Sequence, residues 1–150
     1  MARGMPSPSI TTMPIVTVTR RLRFNAAHRL HNPALSDDEN AALFGKCNNP
    51  NWHGHNYILE VAVEGPIDER TGYVIDLSTL KSIVQREVID RVDHRNLNEL
   101  PPFDEELNPS AENLARFILE YLNGRVGDDR VQVYKVRCFE TPTSVATYQI

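Results

Sequence analysis

The sequence predicts an α+β fold in which a four-stranded antiparallel sheet carries two helices on one face. Segments of alternating apolar and polar residues stand near both ends of the chain, and two segments of helical periodicity stand between them. The resulting element order, β, β, α, α, β, β, favours an antiparallel sheet with its helices on one side. The 150 residues, of which 41% are hydrophobic, suffice for one core and are too few for a second domain.

The first two strands are predicted at residues 16–24 and 57–63, where apolar side chains occupy every second position with one exception at Arg20. We expect these strands to pair as hairpin neighbours. The insertion between them, from about Leu30 to Asn56, has no clear periodicity, and a connection of this length is more often functional than inert.

The two helices are predicted from apolar residues at helical spacing over 77–92 and 110–122. Asp76 or Ser78 can cap the first helix, and Gly124 ends the second. Residues 131–139 and 145–148 then form a closing hairpin around a turn at 141–143. The edges of such a sheet stay open unless other subunits cover them, so the pattern predicts a homo-oligomer.

Charge and hydropathy exclude two classes of partner. The net charge of −4, from 16 basic and 20 acidic residues, gives no nucleic-acid footprint. The longest apolar run is Ala41–Phe44, too short for a membrane span. We expect residues 1–14 to be a disordered leader without a signal peptide and residues 15–150 to be the single domain. With two cysteines, the chain fits the reducing cytoplasm.

The candidate chemistry concentrates in histidine. His53 and His55 flank Gly54 at a strand entrance, where residues two apart point to the same face and can reach one metal. His28 ends the neighbouring strand, and three imidazoles with an open fourth position are typical of catalytic zinc. The alternative for the His53–His55 pair is two surface histidines beside a turn. His31 is expected to be a solvated loop residue.

Cys47 stands six residues before His53, across a run of turn-forming residues. It could be a fourth ligand that closes a structural zinc site, an unbound thiolate base beside the metal, or a free cysteine without a role. Cys138 lies at the same parity as Tyr134 and Val136 in a predicted strand, and is expected to be a small core residue.

Asp93, His94 and Glu140 are the remaining candidates. Adjacent residues such as Asp93 and His94 do not easily hydrogen-bond to each other in regular structure, but at a helix end both can point into one cleft. The alternative is a helix C-cap in which a charged His94 favours the dipole. Glu140 shares a face with Cys138, so its carboxylate needs a partner, either a guanidinium-like ligand edge or an intramolecular cation.

Five separated motifs, in order and from about residue 15 to the end, resemble the 6-pyruvoyl-tetrahydropterin synthase family. They are Phe24–Leu30, Gly45–Tyr57, Asp93–Asn98, Ser110–Ala115 and Phe139–Thr141. Any one of these motifs would be weak, but their shared order and spacing make the match specific.

The resemblance implies a T-fold, in which trimers close a β-barrel and two trimers stack into a hexamer. It implies Zn²⁺ on His28, His53 and His55, which binds the side-chain hydroxyls of 7,8-dihydroneopterin triphosphate. Cys47 is then the base, and Asp93 and His94 of a neighbouring subunit tune the thiolate and shuttle protons. Triphosphate leaves by elimination, and no nicotinamide is required.

The resemblance further implies that Glu140 anchors the pterin and that Ser110, Ala111 and Glu112 line its pocket. Ala111 and Trp52 depart from the animal members, which usually carry threonine and glycine there.

The spacing between Cys47 and His53 is that of the pyruvoyl-forming enzymes. In the related 6-carboxytetrahydropterin synthase of the queuosine pathway, which releases acetaldehyde, the cysteine usually stands four residues before the first histidine. A non-catalytic zinc scaffold with one cysteine and three histidine ligands is the alternative from another class.

Overall fold

The computed structural model describes residues 4–5, 13–104 and 107–150 and is built around a five-stranded mixed sheet. Most of the predicted leader, residues 1–14, lies outside the described residues. The strands are β1 (Ile15–His28), β2 (His53–Pro66), β3 (Arg95–Asn96), β4 (Gln132–Thr141) and β5 (Ser144–Gln149). Their order across the sheet is β3-β1-β2-β4-β5.

β1 and β2 pair antiparallel over their whole length, from Ile15 opposite Pro66 to His28 opposite His53, as predicted for hairpin neighbours. Both strands are longer than the apolar alternation indicated. β2 begins four residues before the predicted start. The apolar alternation did not reveal these residues because two inner-face positions, His53 and His55, carry polar side chains.

The prediction of four antiparallel strands is corrected by β3, which pairs parallel to β1 at the edge of the sheet. Arg95 lies opposite Ala26, and Asn96 lies opposite Ala27. A strand of two residues is too short to produce a periodic signal, so the sequence pattern could not reveal it.

The described part of the chain contains three helices: α1 (Asp37–Phe44), α2 (Leu77–Val84) and α3 (Ala111–Leu122). α1 lies in the long insertion and was not predicted, because it buries only Asn40 and has no apolar face. Its start is fixed by a capping box between Ser36 and Glu39.

The helix predicted over 77–92 is present but is not regular. α2 begins after the N-cap Asp76 and continues through a π-helical turn, Gln85–Ile89, into a last α-helical turn, Asp90–Val92. α3 begins after the N-cap Ser110, and Gly124 follows its end with a left-handed φ of 82°. Both predicted helices are therefore confirmed at their starts.

One face of the sheet packs against α2 and α3 in a single core. Leu22 and Leu59 from the strands join Leu80 from α2 and Leu114 from α3 in this buried cluster. Burial of each such side chain contributes about 1.5–3 kcal/mol to folding. No helix in the described ranges is long and apolar enough to cross a membrane.

The closing hairpin of β4 and β5 is confirmed, with two irregularities inside β4, one at Tyr134 and one between Phe139 and Thr141. Val133 pairs with Val63 and Lys135 pairs with Ala62, so Tyr134 is the extra residue of a β-bulge. The bulge shifts the alternation of side chains along β4 by one residue. Tyr134 therefore does not share a face with Cys138 as predicted, and Cys138 shares its face with Val136 and Glu140. Cys138 itself is fully buried, as expected of a core residue.

Candidate functional site

The pairing of β1 with β2 brings three histidines together at one end of the sheet. His28 lies opposite His53, and His55 lies opposite Ala26, two residues along each strand. All three side chains therefore emerge on the helix-covered face. Their ring centroids are 4.6 to 5.1 Å apart, and their potential ligand atoms all lie within 4.8 Å of one another.

His28 is held by a hydrogen bond that fixes its tautomer. Its Nδ1 atom lies 2.6 Å from the carbonyl oxygen of Pro109, directly before α3. Because a carbonyl oxygen only accepts, Nδ1 carries the proton and donates it, which leaves the Nε2 lone pair facing the cluster. The side chain is completely buried, and burial is the main reason that its pKa lies below 6.5.

Each of the three rings has one buried nitrogen without a hydrogen-bond partner in the described structure: His28 Nε2, His53 Nδ1 and His55 Nε2. Unsatisfied buried nitrogens cost free energy unless something else binds them. Burial also lowers the pKa of His55, so this imidazole, like that of His28, favours the neutral form that binds metals. A set of three imidazoles fits Zn²⁺.

Glu140 extends into this cluster from β4. Its Oε1 atom lies 3.1 Å from His28 Nε2 and 3.4 Å from His55 Nε2. These contacts are close but are not aligned as hydrogen bonds, since both nitrogens remain without a partner. This half-buried carboxylate therefore lies beside two imidazoles, and the predicted guanidinium-like ligand edge stays a prediction.

Cys47 lies in a short 3₁₀ helix, Gly45–Asn48, and its half-buried thiol is free. Within the described ranges, the group of side chains that could hold a metal consists of the three histidines and does not include Cys47. This arrangement does not support the interpretation of Cys47 as a fourth ligand. Burial raises the pKa of the other thiol, Cys138, to about 12, so that thiol is unsuited to act as a base.

Asp93 and His94 follow the last helical turn and are paired with each other, with 3.0 Å between Asp93 Oδ2 and His94 Nδ1. The expectation that adjacent residues do not easily pair applies to regular structure, and His94 lies outside it, with a left-handed φ of 59° directly after the helix. The other Asp93 oxygen accepts the Asn25 N–H at 2.8 Å. That bond, followed by the His94 contact, lowers the pKa of Asp93. The His94 side chain is 81% exposed.

The predicted pterin-contact residues lie at the start of α3. Ser110 is the N-cap and its hydroxyl accepts the Asn113 N–H at 3.2 Å. Ala111 is buried, whereas Glu112 is exposed in the first turn. This helix start is tied to the histidine cluster through the Pro109 carbonyl.

Tyr57 and His31 have contacts that sequence reasoning did not anticipate. The Tyr57 hydroxyl lies 3.4 Å from His28 Nδ1, and burial raises its pKa. His31 was expected to be solvated but is half-buried, with Nδ1 3.0 Å from Asn48 Nδ2. Tyr57 lies on the same strand face as His53 and His55, and this spacing was the signal in the sequence that could have predicted its contact with His28.

Trp52 has a left-handed backbone, with a φ of 62°, and glycine tolerates this conformation better than a residue with a side chain.

Comparisons with known proteins identify the relatives of this chain. The family model described as 6-pyruvoyl tetrahydropterin synthase matches residues 17–150. The chain is 42% identical over 132 residues to the human 6-pyruvoyl tetrahydrobiopterin synthase, covering 88% of this chain and 90% of the human one. It is 39% identical over 140 residues to the Drosophila melanogaster protein of the same name, covering 93% of this chain and 83% of that one.

A solved structure shows the same fold. The 6-pyruvoyl tetrahydropterin synthase of Caenorhabditis elegans superimposes with a TM-score of 0.84 at 44% sequence identity, covering 92% of this chain and 97% of that chain. The family match extends over nearly all of the residues that form the sheet, the helices and the histidine cluster. The chain therefore belongs to the 6-pyruvoyl tetrahydropterin synthase family.

Proposed function

We propose that the protein is a zinc-dependent 6-pyruvoyl-tetrahydropterin synthase that converts 7,8-dihydroneopterin triphosphate to 6-pyruvoyl-tetrahydropterin and eliminates triphosphate. The observation that carries this proposal is the cluster of His28, His53 and His55, in which each ring has one buried nitrogen without a partner among the described residues, in a chain of this family. The named relatives at 39% and 42% identity support the pterin substrate.

In this proposal the three histidines hold Zn²⁺, which when bound polarises the side-chain hydroxyls of the substrate and acidifies the adjacent C–H groups. The Pro109 carbonyl keeps the proton of His28 on Nδ1 and so keeps Nε2 free to bind. Tyr57 packs its ring edge against His28 and helps to exclude water from the buried side of the cluster.

Cys47 would act as the base that takes and returns the side-chain protons. Asp93 and His94, paired at 3.0 Å, would tune the thiolate and shuttle protons. The high exposure of His94 is consistent with a role in the site of a neighbouring subunit. The electrons lost by the substrate side chain are gained by the pterin ring, so the reaction needs no external oxidant or reductant.

Glu140 would bind the amino-pyrimidinone edge of the pterin, because a carboxylate can accept two parallel hydrogen bonds. Its position beside His28 and His55 supports a pocket in which ring and metal are held together. Ser110, Ala111 and Glu112, at the helix start that follows Pro109, would complete the pterin contacts.

A hexamer of two stacked trimers is part of the proposal. The sheet ends in β5 on one side, and β3 covers only two residues of β1 on the other. Open strand edges of this length favour pairing with further subunits. Light scattering that gave the mass of a monomer would contradict this assembly. A cytoplasmic location stays a prediction from composition.

The function is tested by incubating zinc-loaded protein with 7,8-dihydroneopterin triphosphate. Triphosphate release without acetaldehyde, together with the product mass of 6-pyruvoyl-tetrahydropterin, is the expected result. Release of both triphosphate and acetaldehyde would assign the chain to the carboxy-forming reaction instead. If neither is released, the enzyme proposal fails and the non-catalytic zinc scaffold becomes the better explanation.

A further inference from the structure

A network of hydrogen bonds joins the turn that carries Cys47 to the segment that follows the metal-ligand candidate His28. The Leu30 N–H donates to the Cys47 carbonyl oxygen at 2.9 Å. The Arg29 Nε–H donates to the Asn48 carbonyl oxygen at the same distance of 2.9 Å. The last two residues of the 3₁₀ helix are therefore both attached to the chain that leaves β1.

The side chain of Asn48 strengthens this attachment. Its Nδ2 atom lies 2.8 Å from the Leu30 carbonyl oxygen and 3.0 Å from His31 Nδ1. The residue is 8% exposed, so the two N–H groups of the amide are used inside the protein. An amide is required for this arrangement, because a carboxylate has no N–H to donate and a methyl group forms no bond.

Asn98 holds the same segment from its other side. The Arg29 N–H donates to Asn98 Oδ1 at 2.7 Å, and Asn98 Nδ2 donates to the Arg29 carbonyl oxygen at 2.9 Å. Asn98 stands four residues after His94, on the segment that also carries Asp93. Arg29 is thus connected to the Cys47 turn by its side chain and to the Asp93–His94 segment by its backbone.

We infer that Asn48 is a positioning residue for Cys47, and that Asn98 fixes the Arg29 segment on which Asn48 acts. The inference rests on the proposed function, in which Cys47 is the base. A base must lie within hydrogen-bond reach of the proton that it removes. A displacement of about 1 Å can reduce the rate about 100-fold, so a turn held at several points serves catalysis directly.

The test compares Asn48→Ala with Asn51→Ala, a matched change at an exposed asparagine three residues further along. We expect kcat of the Asn48→Ala enzyme to fall about 10- to 100-fold with KM and bound zinc unchanged, because substrate and metal contacts are intact. Asn51→Ala is expected to keep the wild-type kcat. Equal kcat in the two variants would overturn the inference.

A second measurement does not depend on turnover. The rate at which iodoacetamide alkylates Cys47 is measured with and without zinc, with the modified peptide identified by mass spectrometry. A thiol held beside the metal is expected to react faster when zinc is bound, because a nearby cation favours the thiolate. In Asn48→Ala this zinc dependence is expected to disappear, and its persistence would contradict the positioning role.

The two measurements separate the possible failures. A wild-type protein that alkylates in a zinc-dependent way but does not turn over the substrate would contradict the proposed function alone. If Asn48→Ala does not fold, Asn48→Asp serves instead, because it keeps the size of the side chain but has no N–H to donate to the Leu30 carbonyl oxygen. Wild-type kcat and zinc dependence in Asn48→Asp would then overturn the inference.

Discussion

The helix-covered face of β1 and β2 buries apolar side chains in its middle and polar ring nitrogens at one end. In the middle, Leu59 and Val61 are completely buried among apolar neighbours, and burial itself stabilises the fold. At the end, His28, His53 and His55 bury one partnerless nitrogen each. Such nitrogens cost about 1–3 kcal/mol apiece unless they are bound. The same pair of strands therefore builds the core in its middle and, at its end, a histidine cluster that could hold a metal and that lowers stability.

The largest expected effect is a difference in kcat between variants of the two cysteines, Cys47 near the site and Cys138 in the core. Cys47→Ala is expected to reduce kcat about 100- to 10,000-fold while zinc is retained, because the base is lost and the three histidines remain. Cys138→Ala, in the core, is expected to keep its kcat and lower the unfolding free energy. Turnover and zinc content are measured on both proteins. Full activity of Cys47→Ala would contradict the base assignment.

A second comparison uses two residues of β2 that share a face. His55→Gln is expected to weaken zinc binding at least about 100-fold without lowering the stability of the metal-free protein. Leu59→Ala is expected to cost about 2–5 kcal/mol of stability and to leave zinc affinity unchanged. Zinc titration and urea unfolding measure the two quantities. If His55→Gln destabilised the metal-free protein as much as Leu59→Ala, the distinction between the two regions would be lost.

The loss of stability that begins just below pH 6.5 should come from the histidine end. The pKa of His28 and the pKa of His55 lie below 6.5 in the folded protein, mainly through burial. The unfolded state therefore binds more protons, and stability is full above pH 6.5 and falls as the pH drops below it. Urea midpoints of the metal-free protein measure this, with a smaller fall expected in His28→Gln.

The control for this pH effect is Asn51→Ala, since Asn51 is exposed and carries no titratable group. Its urea midpoints are expected to fall with pH as steeply as those of the wild type. A fall of unchanged size in His28→Gln would show that other groups cause the pH dependence.

The smallest expected effect concerns the start of α3. Ser110→Ala removes the N-cap acceptor and is expected to cost about 1 kcal/mol, whereas Ser110→Asp keeps an acceptor and most of the stability. Thermal unfolding compares the two variants. Equal losses would show that capping is not what Ser110 contributes, and a raised KM in both would indicate the proposed pterin contact.

The sequence predicted elements with strong periodicity and site residues with a recognisable motif. The pairing of β1 with β2, the starts of the helices at Asp76 and Ser110, and the gathering of His28 with His53 and His55 all agree with the structure. It did not predict β3, α1 or the bulge at Tyr134, because two-residue strands, polar helices and single inserted residues leave no periodic signal.

The sequence by itself determined the α+β class, the family and the three histidines that could hold a metal, since these follow from local patterns and motifs. Only the tertiary structure decided which atoms meet. The proton of His28 is fixed by Pro109, 81 residues away, and the Cys47 turn is held through Arg29 by Asn98, 69 residues beyond Arg29. Contacts of this range depend on how the strands, helices and loops pack together. No local pattern encodes that packing.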